Sequence, residues 1–120
     1  MIKEKLRQEL HAVSEEIILV SDYFYQQKRQ EGYRALEGLL GRLMMLTDEI
    51  DQYRRAAGQA VAAISAFDEG QWLQSFSQAM SAMEAKDDVL LADLLSLEIR
   101  KQLDDVLAGL YQEEAIHVIL

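Results

Sequence analysis

Apolar side chains recur along the first part of the chain at alternating gaps of four and three residues. An α-helix completes a turn about every 3.6 residues, so side chains at this spacing share one face. The pattern predicts an amphipathic first helix over residues 3–27 that buries this face. The members of the series are Leu6, Leu10, Val13, Ile17, Val20 and Phe24.

A polar run, QQKRQEG at residues 26–32, separates this series from a second one with the same period. Because a loop would normally reset the phase, the unbroken second series predicts one long helix over residues 30–66. Gly58 lies inside this helix and costs about 1 kcal/mol relative to alanine. A break near Gly58, which would give five helices in all, is the alternative. The second series contains Leu36, Leu39, Leu43, Leu46, Ile50, Tyr53, Ala57, Ala60, Ile64 and Phe67.

Aspartates precede two further helical patterns. A short carboxylate accepts hydrogen bonds from the free N–H groups of a first helical turn and suits the positive end of the helix dipole. Asp68 is therefore the predicted N-cap of a third helix over residues 69–85. Asp87 or Asp88 caps a fourth. The apolar face of the third helix carries Trp72, Phe76, Met80 and Met83.

The fourth helix, predicted over residues 88–112, begins with an unusually dense group of leucines. Leu91, Leu95 and Ile99 lie along one stripe, and further apolar residues widen it well beyond a quarter of the circumference. We therefore expect the first half of this helix in the middle of the fold. A tail over residues 113–120 follows, which either packs against the helices or is free to dock. The residues that widen the stripe are Val89, Leu90, Leu94 and Leu97.

The composition indicates a single all-α domain over residues 1–120. Half of the residues are apolar, only six are glycine and none is proline. The residues that usually mark the turns between short strands are therefore scarce. Four helices with short polar links favour an antiparallel four-helix bundle. The second helix would span about 55 Å and the first about 35 Å at 1.5 Å per residue. The third helix and a second copy of the chain are the candidates to cover the overhang, which points to a homodimer.

The net charge of −9 argues against two classes of partner. Nucleic acids and anionic membranes are bound largely through lysine and arginine, which this chain has in clear minority. The absence of cysteine fits a reducing compartment, and the charged first turns fit neither a signal peptide nor a membrane anchor. We expect a cytoplasmic protein that binds neither nucleic acid nor membrane.

No motif in the sequence predicts catalysis, a cofactor or a small-molecule substrate. Glu114 and His117 have the Glu-x-x-His spacing of di-iron bundles, but those need a second copy of the motif and two further glutamates. His11 lies off the apolar stripe, and we expect it at the surface. The serines lack a nucleophile elbow, and the glycines form no phosphate loop. We predict a non-enzymatic protein without metal or cofactor.

Two groups of residues are candidates for binding a partner protein. Consecutive aromatics cannot all face one core, because successive helical residues point about 100° apart, so some tyrosine should be exposed. An interface is one interpretation, and packing at the hairpin end with the hydroxyl in water is the commoner alternative. Met44 and Met45, together with Met80 and Met83, are flexible side chains suited to adaptable binding grooves, although filling the core is the preferred interpretation for them. Gly38 and Gly41 lie one turn apart, and we expect them to admit the fourth helix closely. The candidate partner-binding residues are Tyr23, Phe24, Tyr25, Tyr33, Met44 and Met45.

The segments YFYQQKRQEGYRALEGLL (residues 23–40) and AMEAKDDVLLADLLSLEI (residues 82–99) carry a resemblance. They are similar to small all-helical bacterial proteins associated with motility genes, and in shape to flagellar export chaperones, which hold a secreted subunit by its terminal helices. The resemblance implies a protein-binding bundle with an export-chaperone-like or adaptor role. It assigns no binding residue by position. A self-assembling structural homodimer without a foreign partner is the alternative.

Overall fold

The computed structural model describes residues 2–57 and 67–119, and the side chains at positions 4–56 and 67–111. These residues are helical throughout apart from short links, which confirms the all-α class. A π-helical segment at Leu94–Ile99 joins the last two α-helices into one rod. The α-helices are α1 (Ile2–Tyr25), α2 (Arg29–Ala57), α3 (Glu69–Glu84), α4 (Asp88–Asp93) and α5 (Arg100–Ile119).

Contacts between side chains show that neighbouring helices run antiparallel. In α1, Tyr25 donates a hydrogen bond to Asp93 of α4, whereas Ser14 donates one to Asp104 of α5. The rod therefore runs antiparallel to α1. The hairpins after α1 and α3 reverse the chain in the same way, which gives an up-down-up-down bundle over the described residues. Helix α1 packs against α2 and the whole rod, and α3 packs against α4 and the π segment. The backbones of α2 and α3 approach each other closely at fewer points.

The predicted stripes of α1 and α2 form the core. Every member of the α1 series is at most 3 % exposed, and the α2 series is equally buried from Leu36 to Ile50. The central stripe of the rod, from Leu91 through Leu95 to Ile99, is completely buried, as predicted, and the rod packs against α1 and α3. These side chains belong to one continuous hydrophobic cluster.

Both predicted aspartate caps are confirmed. Asp68 accepts a hydrogen bond from the backbone N–H of Gln71 at 3.1 Å, and Asp87 accepts one from Leu90 at the same distance. Since each cap lies directly before its helix, these two carboxylates fix where α3 and α4 begin.

The hairpin turns share one backbone motif. Gln27 and Lys86 adopt φ angles of 62° and 57°, in the left-handed region. The next N–H after each bonds back to a carbonyl five residues earlier, at 2.8 Å after Gln27 and 2.9 Å after Lys86. This is the Schellman ending of a helix, here built with residues other than the usual glycine.

The expected wide apolar face of the rod is wrong in part. Leu94 is buried, but Val89, Leu90 and Leu97 are exposed. The N–H of Arg100 donates to the carbonyl of Leu95, an i to i+5 bond that widens the turn. The wider turn keeps the central stripe facing α1 and leaves its flanking apolar residues in solvent.

Three further expectations are settled or bounded by the described residues. Helix α2 is helical to Ala57, and the expected continuation through Gly58, with its overhang, lies outside the described residues. The separate tail at 113–120 is wrong, because the backbone of α5 stays helical to Ile119. The close approach at Gly38 and Gly41 is also wrong, since a Cβ built there meets nothing within 4 Å.

None of the helices among the described residues has both the length and the apolar character required to cross a bilayer.

Candidate functional site

An apolar groove lies between α2 and α3, the helix pair whose backbones make few close approaches. Its volume is about 580 Å³, within the range of ordinary ligand pockets. Most of its lining is hydrocarbon or thioether, and carboxylates stand at its margins. The lining residues are Leu40, Met44, Thr47, Asp48, Leu73, Phe76, Met80, Met83 and Glu84.

The helical register explains why α2 contributes apolar side chains to this groove. Leu40 and Met44 each follow a core residue of the α2 stripe by one position, so they point about 100° away from the core. The stripe itself is buried in the core cluster, where α1 is the main neighbour of α2. Met44 is consequently 70 % exposed in the groove wall.

Helix α3 has the same arrangement, which corrects the predicted core face of this helix. Its buried face beyond Trp72 consists of the small residues Ser75, Ala79 and Ala82. Small side chains let the backbone of α3 approach the rod closely, and the larger apolar residues one position later turn toward the groove. Phe76 and Met83 are half-buried, Met80 is 60 % exposed and Leu73 is 56 % exposed.

A tryptophan node forms the base of the groove. The indole Nε1 of Trp72 donates to the hydroxyl of Thr47 at 2.8 Å, and that hydroxyl donates to the carbonyl of Leu43 at 2.8 Å. The Trp72 ring stands edge-on to Phe76, with ring centroids 4.9 Å apart. The node ties α2 to α3 and uses the one proton that Thr47 could donate to a bound molecule.

The groove has three polar lining residues, Thr47, Asp48 and Glu84. Asp48 and Glu84 are its charged lining residues, and both are carboxylates. Within the part of the chain that the structure describes, no three residues of the metal-ligating types come together. The groove therefore offers an apolar surface with acidic margins, which is suited to binding.

The predicted aromatic cluster lies at the hairpin end of the bundle, away from this groove. Phe24 is only 3 % exposed and packs edge-on against Tyr33 at 5.0 Å, so it is part of the core and not a partner-binding surface. Tyr23 is half-buried at the same end. A methyl group at Gly32 would meet the Phe24 ring at 2.9 Å, so only glycine fits beneath this ring.

The remaining tyrosines of this cluster bind aspartates of α4. The hydroxyl of Tyr33 donates to Asp88 at 2.8 Å, and burial together with this hydrogen bond raises the pKa of Tyr33. The hydroxyl of Tyr25 donates to Asp93, and this bond is the main cause of a raised pKa for Tyr25. These contacts hold α4 against the first hairpin, which gives the tyrosines a structural role.

The two adjacent methionines diverge. Met44 lines the groove, whereas Met45 is 66 % exposed on another side of α2, in a separate cavity with Glu49. His11 is exposed as predicted, and its Nε2 lies 3.1 Å from the hydroxyl of Tyr111. The side chains of Glu114 and His117 lie outside the described residues.

A family model described as Domain of unknown function (DUF8042) matches residues 2–109. The chain belongs to the DUF8042 family. The match covers α1 to α4, the π segment and about half of α5, and so includes every residue of the groove. No curated protein and no solved structure matches the chain.

For several groove residues of this DUF8042 protein, the sequence periodicity favours the core or gives no prediction. The sequence pattern predicts that Phe76 faces the core, and for Met80 and Met83 it favours core filling with an adaptable groove as the alternative. It gives no prediction for Leu40 and Leu73. A signal for them exists in the sequence: each of these residues directly follows a position of the buried face. Helices α2 and α3 each carry two apolar stripes that are one position apart. Such a pair of stripes indicates an apolar face wider than one neighbouring helix can cover.

Proposed function

We propose that this DUF8042 protein is a non-enzymatic, cytoplasmic binding protein that holds an amphipathic helix of another protein in the groove between α2 and α3. The role resembles that of a flagellar export chaperone or an adaptor. The observation that carries the proposal is the exposure of Met44, Leu73 and Met80 along one open groove. Large apolar side chains that lie next to one another and remain exposed to solvent are typical of interaction sites.

The chemistry of the lining supports a helical partner over a small substrate. Small-molecule sites combine an apolar wall with a few convergent polar groups that orient the ligand. Here the hydroxyl of Thr47 has already donated its proton, and the two carboxylates stand at the groove margins. Methionine side chains adapt to varied apolar shapes, as helix-binding grooves require.

Self-assembly into a homodimer is the alternative. It would cover the same groove with a second copy, but each copy carries a net charge of −9. Two such surfaces repel one another at low ionic strength. A foreign partner with basic residues meets no such cost.

Neighbouring methionines provide a matched pair of variants for the test. Met44→Asp places a charge in the groove, and Met45→Asp places the same charge at a similarly exposed position outside it. Both variants should retain the parent's helicity, because exposed substitutions usually change stability by about half a kcal/mol or less. Each serves as bait for affinity capture from the native host, and sedimentation gives the oligomeric state of each.

The expected result is a specific protein that the parent and Met45→Asp retain and Met44→Asp loses. Identical captures by the two variants would remove the groove from the binding site. A tight dimer of the parent at micromolar concentration, with no captured protein, would replace the proposal with self-assembly.

A further inference from the structure

We infer that the groove selects a short cationic amphipathic helix, about three turns long, with a basic residue near each end of its apolar face. The inference rests on the proposed function and specifies its partner. Three features of the groove carry it: its length, the position of its two carboxylates, and the ion pairing of the arginines nearby.

The length follows from the residues that bound the groove. From Leu73 to Glu84, α3 spans eleven steps, and from Leu40 to Asp48, α2 spans eight. At 1.5 Å per residue these are about 16 Å and about 12 Å. A helix docked along the groove therefore contacts it over about eleven residues, enough for apolar anchors at i, i+3, i+4 and i+7.

The carboxylates mark opposite ends of this length. Helices α2 and α3 run antiparallel, and the hydrogen bond between Thr47 and Trp72 sets their register. Asp48 follows Thr47 by one residue and so lies at the Leu73 end. Glu84 is the last residue of α3 and lies at the other end. An apolar wall with an acidic group at each end complements a helix that is apolar in the middle and basic at both ends.

Nearby arginines do not neutralise these carboxylates among the described residues. Arg54 pairs with Glu69 at 3.9 Å and donates to the backbone carbonyl of Phe67 at 3.2 Å. Arg55 pairs with Asp51 at 3.0 Å within α2. Asp48 and Glu84 are exposed and have no ion pair with a described residue. Lys5 lines a neighbouring cavity together with Asp48, but these two described residues form no ion pair. The charge of both carboxylates is therefore available to a partner.

Other occupants fit this charge pattern less well. A second copy of the chain would bring a further charge of −9, and a fatty acid would bring a carboxylate to an acidic margin. Exposed charge pairs contribute modestly to affinity but strongly to partner choice and association rate. The groove thus obtains affinity from its apolar wall and selectivity from its ends.

Trp72 provides the readout for a direct test. It is the only tryptophan in the chain, and its ring contacts Phe76 in the groove wall. The probes are two synthetic peptides of about 14 residues, conformationally locked as helices, with the same leucine face at i, i+3, i+4 and i+7. One carries lysine at both ends and the other carries glutamate at those positions. Titration of each peptide into the full chain is followed by Trp72 fluorescence and confirmed by calorimetry.

The lysine peptide should bind about tenfold more tightly than the glutamate peptide at low salt, and the difference should shrink as salt screens the charges. The double variant Asp48→Asn with Glu84→Gln should lose this preference. The matched control is Asp105→Asn with Glu98→Gln, which changes the net charge equally, with the same residue types, at exposed positions outside the groove. The control should keep the preference.

Each other outcome overturns a defined statement. Equal binding of the two peptides would overturn the charge selectivity and leave the helix-binding function standing. Equal loss of preference in both double variants would show that net charge acts in place of the two named ends. Binding of neither peptide to the parent would overturn the proposed function together with this inference.

Discussion

The hydrogen bond between Trp72 and Thr47 should contribute measurably to stability, because it lies at the buried joint between α2 and α3. Trp72 is completely buried, and its Nε1–H donates to Thr47 at 2.8 Å. Thr47→Val keeps the side-chain shape but removes the acceptor. A buried donor without a partner costs about 1–3 kcal/mol. With a urea m value of about 2 kcal/mol per M, a loss of about 2 kcal/mol lowers the unfolding midpoint by about 1 M.

The assay is urea unfolding followed by far-UV circular dichroism, with Thr47→Ser as the control that keeps the hydroxyl. Trp72→Phe removes the donor, so Thr47→Val in that background should cost less than about 0.5 kcal/mol. The double-mutant cycle should then give a coupling energy of about 1–2 kcal/mol. A coupling energy near zero, or equal midpoints for Thr47→Val and Thr47→Ser, would refute the assignment of this bond as the joint between α2 and α3.

Three further perturbations test the fold. Leu95→Asp should abolish cooperative melting, because an unpaired charge at this buried position costs several kcal/mol of a total stability of about 5–15 kcal/mol. Leu97→Asp, at a position that is 64 % exposed, should melt like the parent. Similar melting curves for both variants would disprove the placement of the core. Lys86→Gly should raise the free energy of unfolding in urea by about 1 kcal/mol, since a φ of 57° strains any residue with a Cβ, and a decrease would contradict this. The raised pKa of Tyr33, caused by burial and its bond to Asp88, means that the folded state holds the phenolic proton more tightly, so stability is lost as pH rises above about 10. Tyr33→Phe should make that alkaline loss shallower in pH-dependent melts, and an unchanged slope would exclude this group as its source.

The stripes and caps could be predicted from the sequence because they depend on neighbours in the chain. The series from Leu6 to Phe24 is buried as a whole, and Asp68 and Asp87 cap the helices that follow them. Backbone hydrogen bonds within a helix join residues four positions apart, so spacing and capping residues determine a helix and its main apolar face locally. The all-α class follows from the same local information.

The groove could be predicted only in part. Met44 is a predicted partner-binding residue, whereas for Met80 and Met83 the pattern favours core filling, with an adaptable groove as the alternative. When a helix has two adjacent apolar stripes, its sequence pattern does not determine which stripe packs against a neighbouring helix. In the folded structure the stripe that contains Ala79 and Ala82 is the buried one, because these small side chains let α3 pack close to the rod. The methionines therefore point outward.

The exposure of residues along the rod was also decided by tertiary packing. Leu91, Leu95, Ile99 and Leu103 are spaced four residues apart, so in a regular α-helix the last would be rotated by about 120° from the first. The structure buries all four by widening one turn between Leu94 and Ile99. The sequence by itself determined that these four apolar side chains would favour burial in the core. Packing against α1 decided that the backbone would change its hydrogen bonding to bring them there, because covering the whole stripe stabilises the protein more than one regular helical turn does.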